Sequence, residues 1–442
     1  MEPFAVIGMI VDCPTDDSWD LRIIEQGLLV VNSQGTIVHR GVVSDLSEVK
    51  EKFSVTEVIA LEENNEFLLP GFIDTHIHAS QYPNCGLGLD LQLLEWLQKY
   101  TYPTEAKFGA DLQFAENAYQ SVVQSTLNHG TTTAVYHATI DEDASLILAE
   151  KVGELGQRAF VGKVNIDRNG PDYYTETTQG SIDATKSFVT NVLDMKNDLV
   201  RPIITPRFAP ACSRQLLESL GEFAKEKNVQ IQTHLSENKS EIEWVHELEP
   251  TAKNYTDVYV QTGILTDKTI LAHGIYLDDS ELSVITNAKA AISHCPNSNN
   301  SIRSGNMDVV KYHGIEGLKL GLGTDCSGGY SPSMLNAMRF AIATSKTVFM
   351  PGEDETFMDY CGAISLATRG SAKACNLEDK VGGFDVGLQF DALRVRMNTS
   401  CDTQLFGTES VHDMIPKFVY LGDDRNLVQV FVNGKCVKDL LH

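Results

Sequence analysis

No apolar run in this sequence approaches the ~20 residues needed to cross a bilayer, which excludes a transmembrane helix. The opening residues, MEPFAVIGMIVDCPTDD, lack both the basic start and the continuous apolar core of a secretory signal. Basic residues are scarce. Against 60 Asp and Glu stand only 35 Lys and Arg, a formal net charge of -25, so most of the surface repels phosphate backbones and anionic lipid. Neither nucleic-acid binding nor membrane attachment is expected. Cysteine is present but builds no disulfide framework: there are nine, an odd number, with no Cys-x-x-Cys anywhere. Reduced thiols in a soluble, cytoplasmic protein fit that pattern. What is abundant is apolar material, 42% of 442 residues, enough for a large core or a large domain with a smaller one.

Short Val- and Ile-rich runs open the chain at 4–11, 28–31, 36–39 and 55–61, separated by turns carrying Gly and Asp. From residue 67 the rhythm changes to apolar runs alternating with longer helical patterns, the signature of βα units on a parallel sheet. Eight such runs occur, at 67–74, 132–137, 159–166, 202–208, 229–235, 269–275, 290–295 and 318–324. Eight parallel strands predict an α/β protein of the TIM-like (β/α)8 type. After the barrel, 381–397 and 427–438 return to alternating strand-like segments. The two ends pair most simply with each other, because isolated hairpins are marginal in water. The expected division is 1–66 for the first part of a small β-sandwich, 67–378 for the catalytic barrel and 379–442 for the rest of the sandwich. The least patterned stretch of the barrel, 169–182, reads as a mobile loop.

His and Asp fall at telling places along these runs. His76 and His78 follow the first, His234 ends the fifth, His273 ends the sixth and Asp325 follows the eighth. All are carboxyl ends, the face on which such barrels build active sites. Two residues apart on an extended strand, His76 and His78 project to the same side and can grip one ion. Taken alone, His-x-His describes a pair of satisfied buried histidines better than a metal site. Joined by His234 and Asp325, it makes a three-imidazole, one-carboxylate set suited to Zn²⁺ or Fe²⁺. Such a site brings the pKa of a bound water toward ~7. Glu237, three residues after His234, is then placed to take the water's proton; by itself it would read as a cap of the next helix. His273 is a core histidine or a hydrogen-bond partner of the attacking oxygen.

The segments FLLPGFIDTHIH, THLSE, LAHG, SHCPNSN and GLGTD together resemble the amidohydrolase superfamily, in its branch with one metal and no carbamylated lysine. The resemblance runs nearly end to end and includes the closing stretch KVGGFDVGLQFDALRV, which looks like that superfamily's usual sandwich. It implies a metal-dependent hydrolase barrel. Three segments, HIHASQYPNCGLGLDLQLLEWLQKYTYPTE, TPRFAPACS and HLSEN, are similar to the guanine deaminase family within it. That likeness implies one Zn²⁺ per subunit held by His76, His78, His234 and Asp325, with Fe²⁺ an alternative. It also implies guanine seated by Gln81, Arg207 and Phe208 against His234, Glu237 and Asp325, and a homodimer.

The implied reaction is hydrolytic. Water attacks the purine carbon bearing the exocyclic amine, Glu237 carries a proton to the neighbouring ring nitrogen, and His273 with Asp325 orients the reacting centre; ammonia leaves and xanthine remains. Taken singly, Arg207 would be a surface ion pair and Phe208 core packing. Trp96 is read as packing, and Cys85, Cys295 and Cys326 as buried, inert thiols. The metal residues alone do not separate this reading from a deaminase of S-adenosylhomocysteine or methylthioadenosine, or from a triazine chlorohydrolase. A non-catalytic scaffold on the same fold would be marked by loss of these His and Glu residues, all of which are present.

Overall fold

The structure is a computed structural model that describes residues 1–15, 18–350 and 356–441. Eight parallel strands form the barrel: Phe72–His78 (β1), Thr131–His137 (β2), Arg158–Gly162 (β3), Val200–Pro206 (β4), Gln230–Leu235 (β5), Thr269–His273 (β6), Ala291–His294 (β7) and Lys319–Leu322 (β8). Each pairs with its neighbour in sequence, as consecutive right-handed βα units require. Beyond the end of β8 the seam is sealed against β1: the Asp325 N–H donates to the His76 carbonyl (2.8 Å) and the His78 N–H to the Cys326 carbonyl (2.9 Å). Two segments at opposite ends of the barrel sequence thereby become one hydrogen-bonded edge.

The outer helices form because their apolar residues recur every three or four positions. In Leu112–Asn128, Ala115, Ala118, Tyr119, Val122, Val123 and Leu127 make one buried stripe, and the Asp111 carboxylate caps the first turn by accepting from the Phe114 N–H. Each large side chain so buried contributes about 1.5–3 kcal/mol. Among the described residues no helix is long and apolar enough to cross a membrane.

The terminal segments meet in one eight-stranded sheet whose central members are Phe4–Asp12, Glu66–Pro70 and Ala392–Arg396. Phe4, Leu29, Phe390 and Phe431 fill one of its faces, while Ala5, Leu28 and Val30 pack on the other beside Val49. The run 67–74, read as one strand, divides here: 66–70 belongs to the terminal sheet and 72–78 to the barrel. Gly71 is the pivot, because a Cβ there would lie 2.1 Å from the Thr132 hydroxyl. The stretch 169–182, expected to be a mobile loop, is instead pinned. It holds the turn Asp172–Tyr174, buries the Tyr174 ring and enters the helix Thr178–Asp194.

Candidate active site

At the carboxyl ends of the strands, four side chains turn toward one point. Nε2 of His78 lies 3.1 Å from Nε2 of His234, and the Asp325 Oδ1 lies 3.2 Å from Nε2 of His76 and 3.3 Å from Nε2 of His78. Tetrahedral zinc with bonds of ~2.0–2.1 Å sets its ligand atoms ~3.3 Å apart, and these three separations match that spacing; His137 and His273 also bring ring nitrogens within 4.8 Å of members of the group, in clusters with His76, His78 and His234 and with His76, His234 and Asp325. The glycine that follows β8 permits this approach: a Cβ on Gly323 would meet that of His76 at 3.0 Å. The imidazoles are held neutral, as metal ligands must be. Burial, the largest effect, pushes His76 below its ordinary value, and burial with crowding by neighbouring rings takes His78 and His234 well below it. Burial, the largest effect, opposes the charged form of Asp325 as well, but the His76, His273 and His234 rings together outweigh it and hold the carboxyl below its ordinary value.

Partners outside the quartet fix its orientation. The Arg207 carbonyl lies 2.7 Å from His234 Nδ1, which turns Nε2 to the centre. Asp74, fully buried, accepts from the Thr324 hydroxyl (2.6 Å) and N–H (3.0 Å), holding the residue before Asp325. Asp325 and His273 both adopt left-handed backbone, with φ of 43° and 72°, a conformation costing non-glycine residues of order 1–3 kcal/mol and concentrated at functional sites.

Glu237 is not a helix cap. Asn238 caps the helix Lys239–Leu248 and Glu241 closes the capping box, which releases Glu237 to the barrel mouth. Its Oε2 lies 3.4 Å from His273 Nε2, and its Oε1 accepts from the Ser304 hydroxyl at 3.2 Å. Burial dominates its titration; His273 opposes and Asp325 reinforces, raising the carboxyl to about 7. His273 is also more than a core histidine: Nε2 stands 3.7 Å from the Asp325 Oδ2, and Nδ1 lies 2.8 Å from Asn299 Oδ1.

A pocket of about 390 Å³ opens onto this centre, lined by His78, His234, Glu237 and Asp325 together with Gln81, Arg207, Phe208 and Trp96. All eight singled-out positions, His76, His78, Gln81, Arg207, Phe208, His234, Glu237 and Asp325, thus fall at one mouth, with His273 behind them. Arg207 is not the surface ion pair it would be alone but is buried against Glu105, whereas Phe208 packs in a core cluster with Leu93 and Trp96 as it would alone and lines the pocket as well. Two participants, Glu105 and His137, escaped the sequence reading, and Trp96, read there as packing, both packs and lines the pocket. Glu105, wholly buried, accepts from Gln81 Nε2 at 2.8 Å through one oxygen and from Arg207 Nη1 at 2.7 Å through the other, locking the two residues together. It closes the very segment that ends in YTYPTE, but nothing local reveals its partners. Trp96 lines the pocket, with its indole N–H donated to the Leu87 carbonyl at 3.0 Å. His137 ends β2 and packs its ring 4.4 Å from that of His78; the strand-end rule that found the other histidines finds it too.

Residues 67–437 match the model of the Amidohydrolase family. The guanine deaminase of Dictyostelium discoideum is 45% identical over 430 residues, covering 95% of each chain, and that of Homo sapiens 44% over 426, covering 94% of this chain and 93% of the human one. Among solved structures, the guanine deaminase of C. acetobutylicum with guanine bound in its active site superposes with a TM-score of 0.90 at 32% identity, over 98% of this chain and 100% of the other. With nearly complete coverage in both directions and the site assembled as described, the chain belongs to the amidohydrolase family and, within it, to the guanine deaminase family.

Proposed function

We infer that the protein hydrolyses guanine to xanthine and ammonia, using a metal ion held by His76, His78, His234 and Asp325. The observation carrying this reading is that one pocket is lined both by three of the four candidate ligands, His78, His234 and Asp325, and by the polar groups Gln81, Arg207 and Glu237. The ion, when bound, supplies a Lewis acid and a water acidic enough to ionise near neutral pH.

The remaining work falls to the chain. Gln81 offers both donor and acceptor and Arg207 only donors, a combination that matches the mixed amide and ring-nitrogen edge of guanine. Glu105 keeps the two in register, so the purine meets a preformed surface. Phe208, Leu93 and Trp96 supply apolar walls for the planar ring and exclude water from it. Glu237, poised near pH 7, accepts the proton of the attacking water and delivers it to the ring nitrogen beside the carbon under attack. His273, held through Asn299, donates to the oxygen as charge develops; the proton of the added hydroxyl then passes through Glu237 to the amine, which departs as ammonia.

The test is ammonia release by metal-analysed protein from guanine, adenine, adenosine, cytosine, 8-oxoguanine and S-adenosylhomocysteine. Dominant guanine turnover, abolished by chelation, is the expected result. Metal-loaded protein that leaves guanine untouched overturns the reading. To the same reading belong Zn²⁺ as the resident ion, checked by elemental analysis, a homodimer, checked by sedimentation velocity, and a cytoplasmic location, checked by cell fractionation.

A further inference from the structure

Of nine free cysteines, two touch. The Sγ atoms of Cys85 and Cys326 are 3.6 Å apart although 241 residues separate them in sequence. Among the described residues no other two thiols are in contact; Cys13, Cys212 and Cys295 each meet a hydroxyl or carbonyl instead. Closure of the barrel seam makes the pair, because Cys85 ends the turn that follows β1 and Cys326 lies in the loop that follows β8. Those two loops are already joined by a hydrogen bond from Asn84 Nδ2 to the Ser327 hydroxyl at 2.9 Å.

The two thiols differ in a way that assigns them roles. Cys85 is half-buried, its thiol donating to the Tyr330 carbonyl at 2.9 Å, whereas Cys326 is fully buried. An oxidant reaches the first, and the second is the one placed to resolve the product. Cys326 is also bonded to Asp325, and its carbonyl accepts from the His78 N–H. A disulfide is ~2.05 Å long, so linking the pair draws the sulfurs ~1.5 Å closer, and part of that movement falls on the backbone that positions Asp325.

We propose that Cys85 and Cys326 form a reversible disulfide in the presence of a peroxide, and that the cross-link switches the active site off. The Cys85 thiolate attacks one oxygen of hydrogen peroxide, the O–O bond breaks, and a sulfenic acid forms as the released hydroxide is protonated to water. The Cys326 sulfur then attacks the sulfenic sulfur; its S–H proton leaves with the expelled hydroxide as a second water. Two thiols lose two electrons and one peroxide gains them. A dithiol reverses the step by exchange through a mixed disulfide.

Full-length, metal-loaded protein is treated with hydrogen peroxide, alkylated and mapped by mass spectrometry, with guanine turnover and metal content measured in parallel. A Cys85–Cys326 linked peptide is expected, together with a fall in turnover of roughly 100-fold, the scale of a ~1 Å misplacement, at unchanged metal content. Dithiothreitol restores the rate. Cys85→Ser and Cys85→Ala turn over guanine normally before treatment and resist it afterwards. The turnover arm rests on the guanine reading; the mapping arm does not, and the visible spectrum of Co²⁺-loaded protein, which shifts if Asp325 moves, needs no substrate. Peroxide that leaves Cys326 alkylatable overturns the cross-link. A linked protein with unaltered spectrum and rate, or equal inactivation of Cys85→Ser, overturns the switch.

Discussion

The terminal sheet and the barrel mouth both bury charge, and they treat it in opposite ways. In the sheet, Glu66 is 1% exposed and both of its oxygens find donors: Arg394 at 2.6 and 3.0 Å and the Glu62 N–H at 2.8 Å on Oε2, and Arg396 at 2.6 Å on Oε1. Asp12 is likewise held by Arg22, Arg40 and the Phe384 N–H. At the mouth, both ring nitrogens of His137 are buried without a hydrogen-bond partner among the described residues, and Nε2 of His76 and of His273 lie near the Asp325 and Glu237 carboxylates without an aligned hydrogen bond to either. A satisfied buried charge is part of the scaffold; a cluster of unsatisfied ligand atoms is a site arranged for something else to complete it.

Removing what completes the mouth should have the largest effect. Chelation is expected to take guanine turnover to background and to lower the unfolding free energy by about 4 kcal/mol, if the protein had been held in free metal at ~1,000 times its Kd. Calorimetry with and without chelator checks this, and unchanged stability would remove the metal from the quartet. Glu237→Gln follows: activity falls roughly 10²–10⁴-fold while metal content and thermal midpoint stay put, since the carboxamide keeps the shape but carries no proton.

The reverse pattern belongs to the sheet. Glu66→Gln should cost about 3 kcal/mol of stability by leaving Arg394 and Arg396 without their partner, with kcat and KM untouched. Burial alone would raise the Glu66 carboxyl, but Arg394 and its other donors hold it below its ordinary value. The stabilisation is therefore complete above the unfolded carboxylate range and is lost as pH falls through the lower folded value, so wild type and variant should converge in acid urea titrations. Arg207→Ala ranks last, lowering kcat/KM by about 10–100-fold, mainly through KM, from the loss of hydrogen bonds worth about 1.5–3 kcal/mol. Combined with Glu105→Gln it should be markedly non-additive, because the first change already removes the Glu105 carboxylate's charged partner and leaves it only Gln81. Additive costs would break the link drawn between them.

Much of this was legible before any fold was known. Period-two spacing placed His76 and His78 on one side of a strand, and the eight-run rhythm announced a barrel whose carboxyl ends carry His234, His273 and Asp325. Other features were hidden. Gly71 reads as any glycine in an apolar run until Thr132 is set against it. Cys85 was expected to be buried and inert, yet it is half-buried and in contact with a second thiol. Glu237 matched a helix start until Asn238 took that role.

The sequence by itself determined the elements and the chemistry of their ends, because hydrophobic period and strand-end residue type are local properties of the chain. Only the tertiary structure decided who meets whom across the mouth: Glu105 between Gln81 and Arg207, Ser304 on Glu237, Asn299 behind His273, and Cys326 beside Cys85. The reason is geometric. Closing a sheet into a barrel turns strand ends remote in sequence into neighbours, and local periodicity carries no record of which side chain faces which across the ring.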